Sequence, residues 1–312
     1  MRRQLAAAKQ LLQRLLDLEP VTDAVGTAGA LDQQTFATLH FDDYRLHQWI
    51  GDGASGNVYR GTEKATGRTV AIKFLKKRFL FQPQWVDSFL REVQIVSRLQ
   101  HPGIISIFGL GKTPNRGFFV VMEWASGGDL TQYTSGRRPE FGQLACWLVE
   151  LVAALQHAHQ HGVVHCDLKP GNVLIGANRQ LLLSDFGLAR KSLNWSDHNV
   201  AEGGTPAFIA PELVDSTWGA IGPWTDVFGV GAILFNLLTG RPPHDGPTMA
   251  TVLQRAASSS PVLWPLQLAD DIPPVWRELC DRLLVKNISQ RFPDMVAVGR
   301  ELETLQHDAG HR

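Results

Sequence analysis

Hydrophobic and polar positions alternate in the early part of the chain with the two-residue period of half-buried strands. Three such runs follow one another, and a helical pattern over 85–99 separates them from two more apolar runs. The predicted strands are "YRLHQWIG" (44–51), "GNVYRGTE" (56–63), "RTVAIKFL" (68–75), "IISIFGL" (104–110) and "GFFVVMEW" (117–124). This pattern predicts a small antiparallel sheet accompanied by one helix.

After "ASGGD" the hydrophobic spacing changes to long helical patterns, with two short apolar strands at 172–175 and 181–184. The helical patterns cover 142–160, 226–239, 275–285 and 294–306. A strand-rich lobe at 44–124 followed by a helical lobe at 125–306 indicates an α+β protein of two lobes, with a tail at 307–312. A cleft between two lobes is a natural place for a ligand.

Leucines near helical spacing in residues 1–19 end at Pro20, and a small, polar segment follows. We expect residues 1–43 to form an amphipathic helix and a linker. A helix of about twenty residues is marginally stable alone, so a packing partner is expected. The helix could dock on the lobes, mediate dimerisation or be a remnant of an adaptor, and these three alternatives stay open.

Composition narrows the class of protein. Thirty basic residues balance thirty acidic ones among 312, so net charge does not favour nucleic acid or an anionic membrane as a partner. Three distant cysteines do not favour a disulfide framework or a zinc site, and charges within the first twenty residues interrupt any signal peptide. The apolar runs at 144–155 and 229–238 are too short to span a bilayer. We therefore expect a cytoplasmic protein without a membrane span.

Candidate chemistry begins in the first lobe with "GDGASGNVY" (51–59), a glycine-rich turn between two predicted strands. Its backbone could approach a ligand closely and present N–H groups to phosphate. Lys73 ends "VAIK" on a strand, and Glu92 lies among apolar positions of the predicted helix. Each is ambiguous alone, but a paired Lys73 and Glu92 could be held in a fixed position.

The second lobe carries "GVVHCDLKPGN" (162–172), whose proline excludes a continuing helix. Asp167 could accept a proton, Lys169 could neutralise a phosphate, and Asn172 could bind a metal ion. Thirteen residues later, Asp185 precedes Phe186 and a glycine. Two oxygen ligands suit Mg²⁺, which takes few protein ligands together with substrate phosphates.

The series "GDGASGNVY", "VAIK", Glu92, "HCDLKPGN", "DFG" and "APE" resembles the signature motifs of the protein kinase family, in the same order and spacing. The resemblance covers about 44–305 and implies a bilobal protein-kinase-like fold. It implies transfer of the γ-phosphate of ATP, with magnesium or manganese, to Ser or Thr hydroxyls of proteins, including the chain itself.

The resemblance also implies a role for each matching position. Asp167 would orient the substrate hydroxyl and take its proton, beside Lys169, while Lys73, held by Glu92, would contact the α and β phosphates. The implied metal ligands are Asn172 and Asp185. The implied nucleotide-contacting positions, with Met122 as the gatekeeper, are Gly51, Asp52, Gly53, Ala54, Ser55, Gly56, Val58, Ala71, Lys73, Met122, Glu123 and Ala125. The implied structural residues are Glu212, Asp226 and Arg291.

Lys169 and Thr205 resemble the serine/threonine branch, and the absence of long insertions suits a bacterial origin by analogy. One departure is Cys166, which stands where many relatives carry an arginine that receives an activation-loop phosphate. The candidate phosphate acceptors in that segment are Ser192, Ser196 and Thr205. We therefore expect an activity that depends little on phosphorylation there.

Two other functions stay open at this point. The first is a pseudokinase that binds ATP and serves as a signalling scaffold, against which the complete set of catalytic residues stands. The second is a small-molecule phosphotransferase, which the "APE" segment and Thr205 disfavour. The protein substrate, the pathway and the activating signal do not follow from the sequence.

Overall fold

The computed structural model describes residues 38–53, 56–113, 115–135, 137–186, 206–268 and 271–309. The chain divides into two compact units. The first contains the described residues up to Arg98 together with Ile107–Glu123, and the second contains Leu99–Ser106 and the described residues from Trp124 onward. The sequence pattern placed residues 99–106 with the first lobe, whereas they pack within the second unit.

The first unit is built on a six-stranded sheet with the order β1-β5-β6-β4-β3-β2. The strands are β1 (Thr38–Leu39), β2 (Tyr44–Asp52), β3 (Gly56–Glu63), β4 (Thr69–Leu75), β5 (Ile107–Thr113) and β6 (Gly117–Glu123). The five predicted strands are confirmed and pair antiparallel. The short β1 pairs parallel with β5. The sheet is therefore mixed, whereas the sequence pattern predicted an antiparallel sheet.

Two apolar clusters lie on opposite faces of this sheet, because successive side chains of a strand point to opposite sides. On one face, helix α1 (Pro83–Val96) contributes half of the buried residues of a cluster. Its buried members are Leu75, Phe79, Val86, Phe89, Leu90, Val93, Phe118 and Val120. The other cluster consists of Tyr44, Val70, Ile72, Phe74, Phe119 and Val121.

The turn Phe41–Asp43 closes the second cluster. The ring of Phe41 meets those of Phe74 and Phe119 edge-on, each at 5.6 Å between centroids. Aromatic pairs prefer such edge-to-face contacts. Residues 38–43 are thus part of the sheet unit, although the hydrophobic pattern placed the start of the lobe at Tyr44.

The second unit is mainly helical. Its helices are α2 (Leu130–Tyr133), α3 (Phe141–Gln160), α4 (Pro211–Val214), α5 (Pro223–Thr239), α6 (Met249–Ala257), α7 (Pro274–Leu283) and α8 (Met295–Ala309), and its strands are β7 (Val173–Ile175) and β8 (Leu181–Leu183). The four predicted helices correspond to α3, α5, α7 and α8. The nine-residue α6 was not predicted, and its signal is the N-cap Thr248, whose side chain accepts a hydrogen bond from the Thr251 N–H.

Helix α5 is the core of this unit. Fourteen of its residues are buried, in agreement with the almost continuous apolar run in the sequence. It packs against α3, α7 and α8. A helix buried on all sides is a rigid base for the loops that surround it. Within the part of the chain that the structure describes, no helix combines the length and apolarity that a membrane crossing requires.

Candidate active site

The first unit holds Lys73 and Glu92 together, as the sequence predicted. Lys73 Nζ lies 3.4 Å from Glu92 Oε1, and the two side chains are 6% and 15% exposed. Lys73 comes from β4 and Glu92 from α1, so the pair also ties the helix to the sheet. A lysine this deep in the protein needs an anionic partner, because an unpaired buried charge is costly.

Four of the side chains predicted to meet the nucleotide share one face of the sheet. Val58 is paired directly with Lys73, and Ala71, two residues earlier on β4, is paired with Met122. Directly opposite residues in a ladder point to the same side. Val58, Ala71, Lys73 and Met122 therefore line the face that also carries α1. Glu123 ends β6, and Ala125 is buried in the second unit.

The glycine-rich turn joins β2 to β3. The N–H of Gly53 donates to the carbonyl of Gly56 at 2.9 Å, which closes the turn at its base. A Cβ at Gly56 would lie 2.6 Å from the Phe74 carbonyl oxygen, so a side chain does not fit there. Gly51 has open space around it, and Ala54 and Ser55 lie outside the described residues.

The second unit positions Asp167 through short hydrogen bonds. Its Oδ2 accepts from Lys169 Nζ and from Asn172 Nδ2, both at 3.0 Å, and Asn172 Nδ2 also donates to the Asp167 carbonyl at 2.7 Å. The Asp167 and Lys169 side chains are each 20% exposed. Asp167 is thus fixed in orientation while its carboxylate stays accessible, as a proton acceptor requires.

Asp226 of α5 anchors the loop that carries Asp167. Its carboxylate accepts from the backbone N–H groups of His165 at 2.8 Å and Cys166 at 2.9 Å, and from His159 Nε2 at 2.7 Å. Asp226 is 1% exposed. Charge-assisted hydrogen bonds of this kind are stronger than neutral ones. The structural role predicted for Asp226 is consistent with this position.

The fully buried His165 joins the loop to the end of β8. Its Nδ1 accepts from the Asp167 N–H at 3.2 Å, which leaves Nε2 as the donor to the Ser184 carbonyl at 3.0 Å. Burial lowers the pKa of His165, against the opposing effect of Asp226. The sequence showed this histidine in the motif, but no pattern assigned it the role of a bridge.

The β7–β8 ladder brings the two predicted metal ligands to adjacent positions. Val173 pairs with Leu183, and beyond this pair Ser184 donates to the Asn172 carbonyl through its N–H at 2.9 Å and its Oγ at 3.0 Å. Asp185 follows directly. Among the described residues no group of three or more His, Cys, Asp and Glu could hold a metal ion. An amide and a carboxylate still fit Mg²⁺, because phosphate oxygens and water complete its coordination.

Cys166 in the Asp167 loop and Asp185 after β8 both adopt left-handed backbone conformations. Cys166 has φ 63° and Asp185 has φ 53°. These values cost energy in residues other than glycine, and they often mark functional sites. At Cys166 the backbone N–H donates to the Asp226 carboxylate at 2.9 Å, and this hydrogen bond compensates for the strained backbone conformation.

Glu212 and Arg291 form a buried, bidentate ion pair. Arg291 Nη1 lies 2.7 Å from Glu212 Oε1 and Nη2 lies 3.2 Å from Oε2, with both side chains inaccessible to solvent. The pair joins α4 to the segment before α8. The predicted structural role of these two residues agrees with this burial. Ser192, Ser196 and Thr205 lie outside the described residues.

Sequence comparison identifies the family to which this arrangement belongs. Residues 44–301 match the family model described as a protein kinase domain. The chain is 30% identical over 267 residues to the "probable serine/threonine-protein kinase PknB" of Lactococcus lactis, covering 84% of this chain and 42% of that protein. It is 31% identical over 285 residues to the serine/threonine-protein kinase PknL of Mycobacterium tuberculosis, covering 90% of this chain and 70% of that protein.

A eukaryotic relative is similar to the same degree. The serine/threonine-protein kinase PLK4 of Nematostella vectensis is 30% identical over 253 residues, which cover 80% of this chain and 25% of that protein. The chain thus spans less than half the length of two of these relatives. Since the match to the family model covers most of the chain and every motif described above, the chain belongs to the protein kinase family.

Proposed function

We propose that the protein transfers the γ-phosphate of ATP to serine or threonine hydroxyls of proteins, including its own. The observation that carries this proposal is the fixed Asp167 carboxylate, held by Lys169 and Asn172 on a loop anchored to Asp226. The resemblance of Lys169 and Thr205 to the serine/threonine branch, and the names of the relatives, support the choice of acceptor.

Lys73 would hold the α and β phosphates of the nucleotide. Its pairing with Glu92 fixes the ammonium on the face that also carries Val58 and Ala71. The small Ala71 would face the flat ring of the nucleotide, and Met122, its partner on β6, would lie beside that ring. The absence of a side chain at Gly56 lets β3 lie close to the Phe74 carbonyl of β4, and backbone N–H groups of the glycine-rich turn would donate to phosphate oxygens.

Asn172 and Asp185 would hold magnesium, for which manganese could substitute. The bound ion would neutralise negative charge on the phosphates. The residues themselves supply the remaining chemistry. Asp167 accepts a hydrogen bond from the acceptor hydroxyl, orients it and takes its proton. Lys169, 3.0 Å from Asp167, would balance charge on the phosphoryl group as it is transferred.

Transfer of labelled phosphate from Mg-ATP to the chain and to a basic acceptor protein tests this proposal. Asp167→Asn should lower the rate by roughly 10² or more. Glu301→Gln, at an exposed ion pair with Arg282, is the control and should keep full activity. Label on Ser or Thr with the wild type and with Glu301→Gln, but not with Asp167→Asn, supports the proposal.

The scaffold function would give a different result in the same assay. ATP would bind to the wild type, Lys73→Met would abolish that binding, and no transfer to any protein would occur. Transfer to small alcohols or amines, with none to protein, would instead indicate a small-molecule phosphotransferase. Either outcome would overturn the proposal.

We also propose that activity depends little on activation-segment phosphorylation. The thiol of Cys166 cannot form the charge-assisted contact that a guanidinium makes with phosphate. The Cys166 N–H is already held by Asp226, so the order of the loop does not require a phosphate. Phosphatase treatment should leave the rate nearly unchanged, and loss of activity on this treatment would refute the hypothesis.

A partner for the N-terminal segment remains a separate proposal. Its leucine spacing favours packing on the kinase domain or on a second copy. Deletion of residues 1–37 keeps β1 and removes this segment. An unchanged oligomeric state and rate would exclude both docking and dimerisation.

A further inference from the structure

Lys76 forms a second cationic contact close to the glycine-rich turn. It lies just after β4, three residues past Lys73, and its Nζ is 2.8 Å from Asp52 Oδ1. The Lys76 side chain is 10% exposed and that of Asp52 is 55% exposed. A mostly buried ammonium is therefore paired with a carboxylate at the start of the turn.

The strand register places this pair on the side of the sheet opposite Lys73. Asp52 pairs with Asn57, and Asn57 pairs with Phe74, so these three side chains share a face. Phe74 belongs to the cluster on the face away from α1. Val58 follows Asn57 and Lys73 precedes Phe74, so these two side chains point to the other side. The contact thus crosses the back of β3 without entering the face proposed for the nucleotide.

We propose that the Asp52–Lys76 ion pair is a clasp that positions the glycine-rich turn for nucleotide binding. The pair connects the end of β2, on one side of the turn, to the residue after β4, two strands away. It lies beside the Gly53–Gly56 hydrogen bond that closes the turn. This inference rests on the proposed function, and it assigns Asp52 a positioning role shared with Lys76 in place of the nucleotide contact that the resemblance implied for it.

The position of Lys76 also connects the turn to the helix that bears Glu92. Lys76 precedes the turn Lys77–Phe79, in which the Phe79 N–H donates to the Lys76 carbonyl at 2.9 Å. This segment leads into α1 at Pro83. Removal of the charge at Lys76 would therefore loosen the start of that segment together with the end of β2.

Nucleotide kinetics of matched variants test the clasp. Lys76→Met and Asp52→Asn should each raise KM for ATP roughly fivefold, while kcat changes less than about twofold, since the reacting groups remain in place. Lys76→Arg should retain near-normal KM. The exchanged pair Asp52→Lys with Lys76→Glu should recover most of the loss, because the contact is restored with its charges reversed.

Glu63→Gln is the matched control in the same sheet. Glu63 ends β3 and pairs with Arg68 at 3.2 Å, at the end of the strands away from the glycine-rich turn. This variant should leave KM for ATP unchanged. Hydrogen exchange without nucleotide should accelerate at residues 51–58 in Lys76→Met and Asp52→Asn but not in Glu63→Gln.

The outcomes separate the clasp from its alternatives. An increase in KM with Lys76→Met but not with Asp52→Asn would show that Lys76 contacts phosphate itself, which would overturn the clasp. Unchanged KM and exchange in both variants would also overturn it. A wild-type protein that neither binds nor consumes ATP would instead refute the proposed function, and exchange at 51–58 would still report whether the ion pair orders the turn.

Discussion

Replacing Arg291 by methionine should destabilise the second unit strongly while changing few side-chain contacts. The guanidinium donates from all five of its N–H groups. Two of these hydrogen bonds go to the Glu212 carboxylate. The other three go to backbone carbonyl oxygens: Nε donates to Val285 at 2.6 Å, Nη1 to Trp224 at 2.8 Å and Nη2 to Lys286 at 3.0 Å. Methionine fills much of the same volume but donates no hydrogen bond.

The magnitude follows from what remains in the protein. Glu212 would stay buried without its counter-charge, and three carbonyl groups would lose a charged donor. Removing one partner of a buried ion pair typically costs about 3 to 5 kcal/mol in the free energy of unfolding. For a domain of this size, each kcal/mol lowers the melting temperature by about 2 to 4 °C, so a decrease near 10 °C is expected.

Urea unfolding, followed by tryptophan fluorescence, measures this loss. The matched control is Arg282→Met, because Arg282 also forms an ion pair, with Glu301, but its side chain is 52% exposed. Exposed pairs contribute about 1 kcal/mol or less. The double variant Glu212→Leu with Arg291→Met should recover part of the stability, since it leaves no buried carboxylate. A loss below about 1 kcal/mol for Arg291→Met would refute the reasoning.

Three further predictions concern the second unit. Burial and the Lys286 charge lower the pKa of His244 to about 4, so its contribution to stability is complete above 6.5 and is lost as the pH falls towards 4. When the pH is lowered from 7.5 to 5, the free energy of unfolding in urea should fall by about 2 kcal/mol more in the wild type than in His244→Phe. Equal losses in the two proteins would contradict this. Burial lowers the pKa of Lys286 to about 8, so between pH 8 and 10.5 the unfolded chain binds this proton more tightly than the folded protein. The stability of the wild type relative to Lys286→Met should therefore rise over this range. A fall in the melting temperature of the wild type relative to Lys286→Met, measured by differential scanning calorimetry, would contradict this. Asp226→Asn replaces the carboxylate that accepts from the His165 and Cys166 N–H groups by an amide. We expect kcat to fall by about tenfold or more, and KM for ATP to change by a smaller factor. A normal kcat would exclude Asp226 as the anchor of the loop.

Much of the fold was accessible from hydrophobic spacing alone. The five antiparallel strands and five of the helices, α1, α3, α5, α7 and α8, follow from periods of two and of about 3.6 residues, which report the burial of one face of each element. The two-residue β1 and the nine-residue α6 were missed, because such short segments give too few repeats. Segment 99–106 was assigned to the wrong unit, since its apolar residues match a buried strand in either place.

Individual catalytic positions were accessible because their chemistry requires particular residue types in a fixed order. Lys73, Glu92, Asp167 and Asn172 could be named from the motifs, and the structure brings Lys73 to Glu92 and Asn172 to Asp167. Asp52 was also named, as part of the turn. No pattern indicated that its side chain would pair with Lys76, because that contact depends on the register of three strands.

The sequence by itself determined the sheet and helix content, the family and the residues suited to phosphate transfer, because all of these depend on local order along the chain. Tertiary structure alone decided which distant polar groups meet. Examples are the contacts of Asp226 with the Asp167 loop, of His165 with Ser184, and of Glu212 with Arg291. Each of these joins residues far apart in sequence, and each is stabilised because folding removes water from charged or polar groups that must then bind one another.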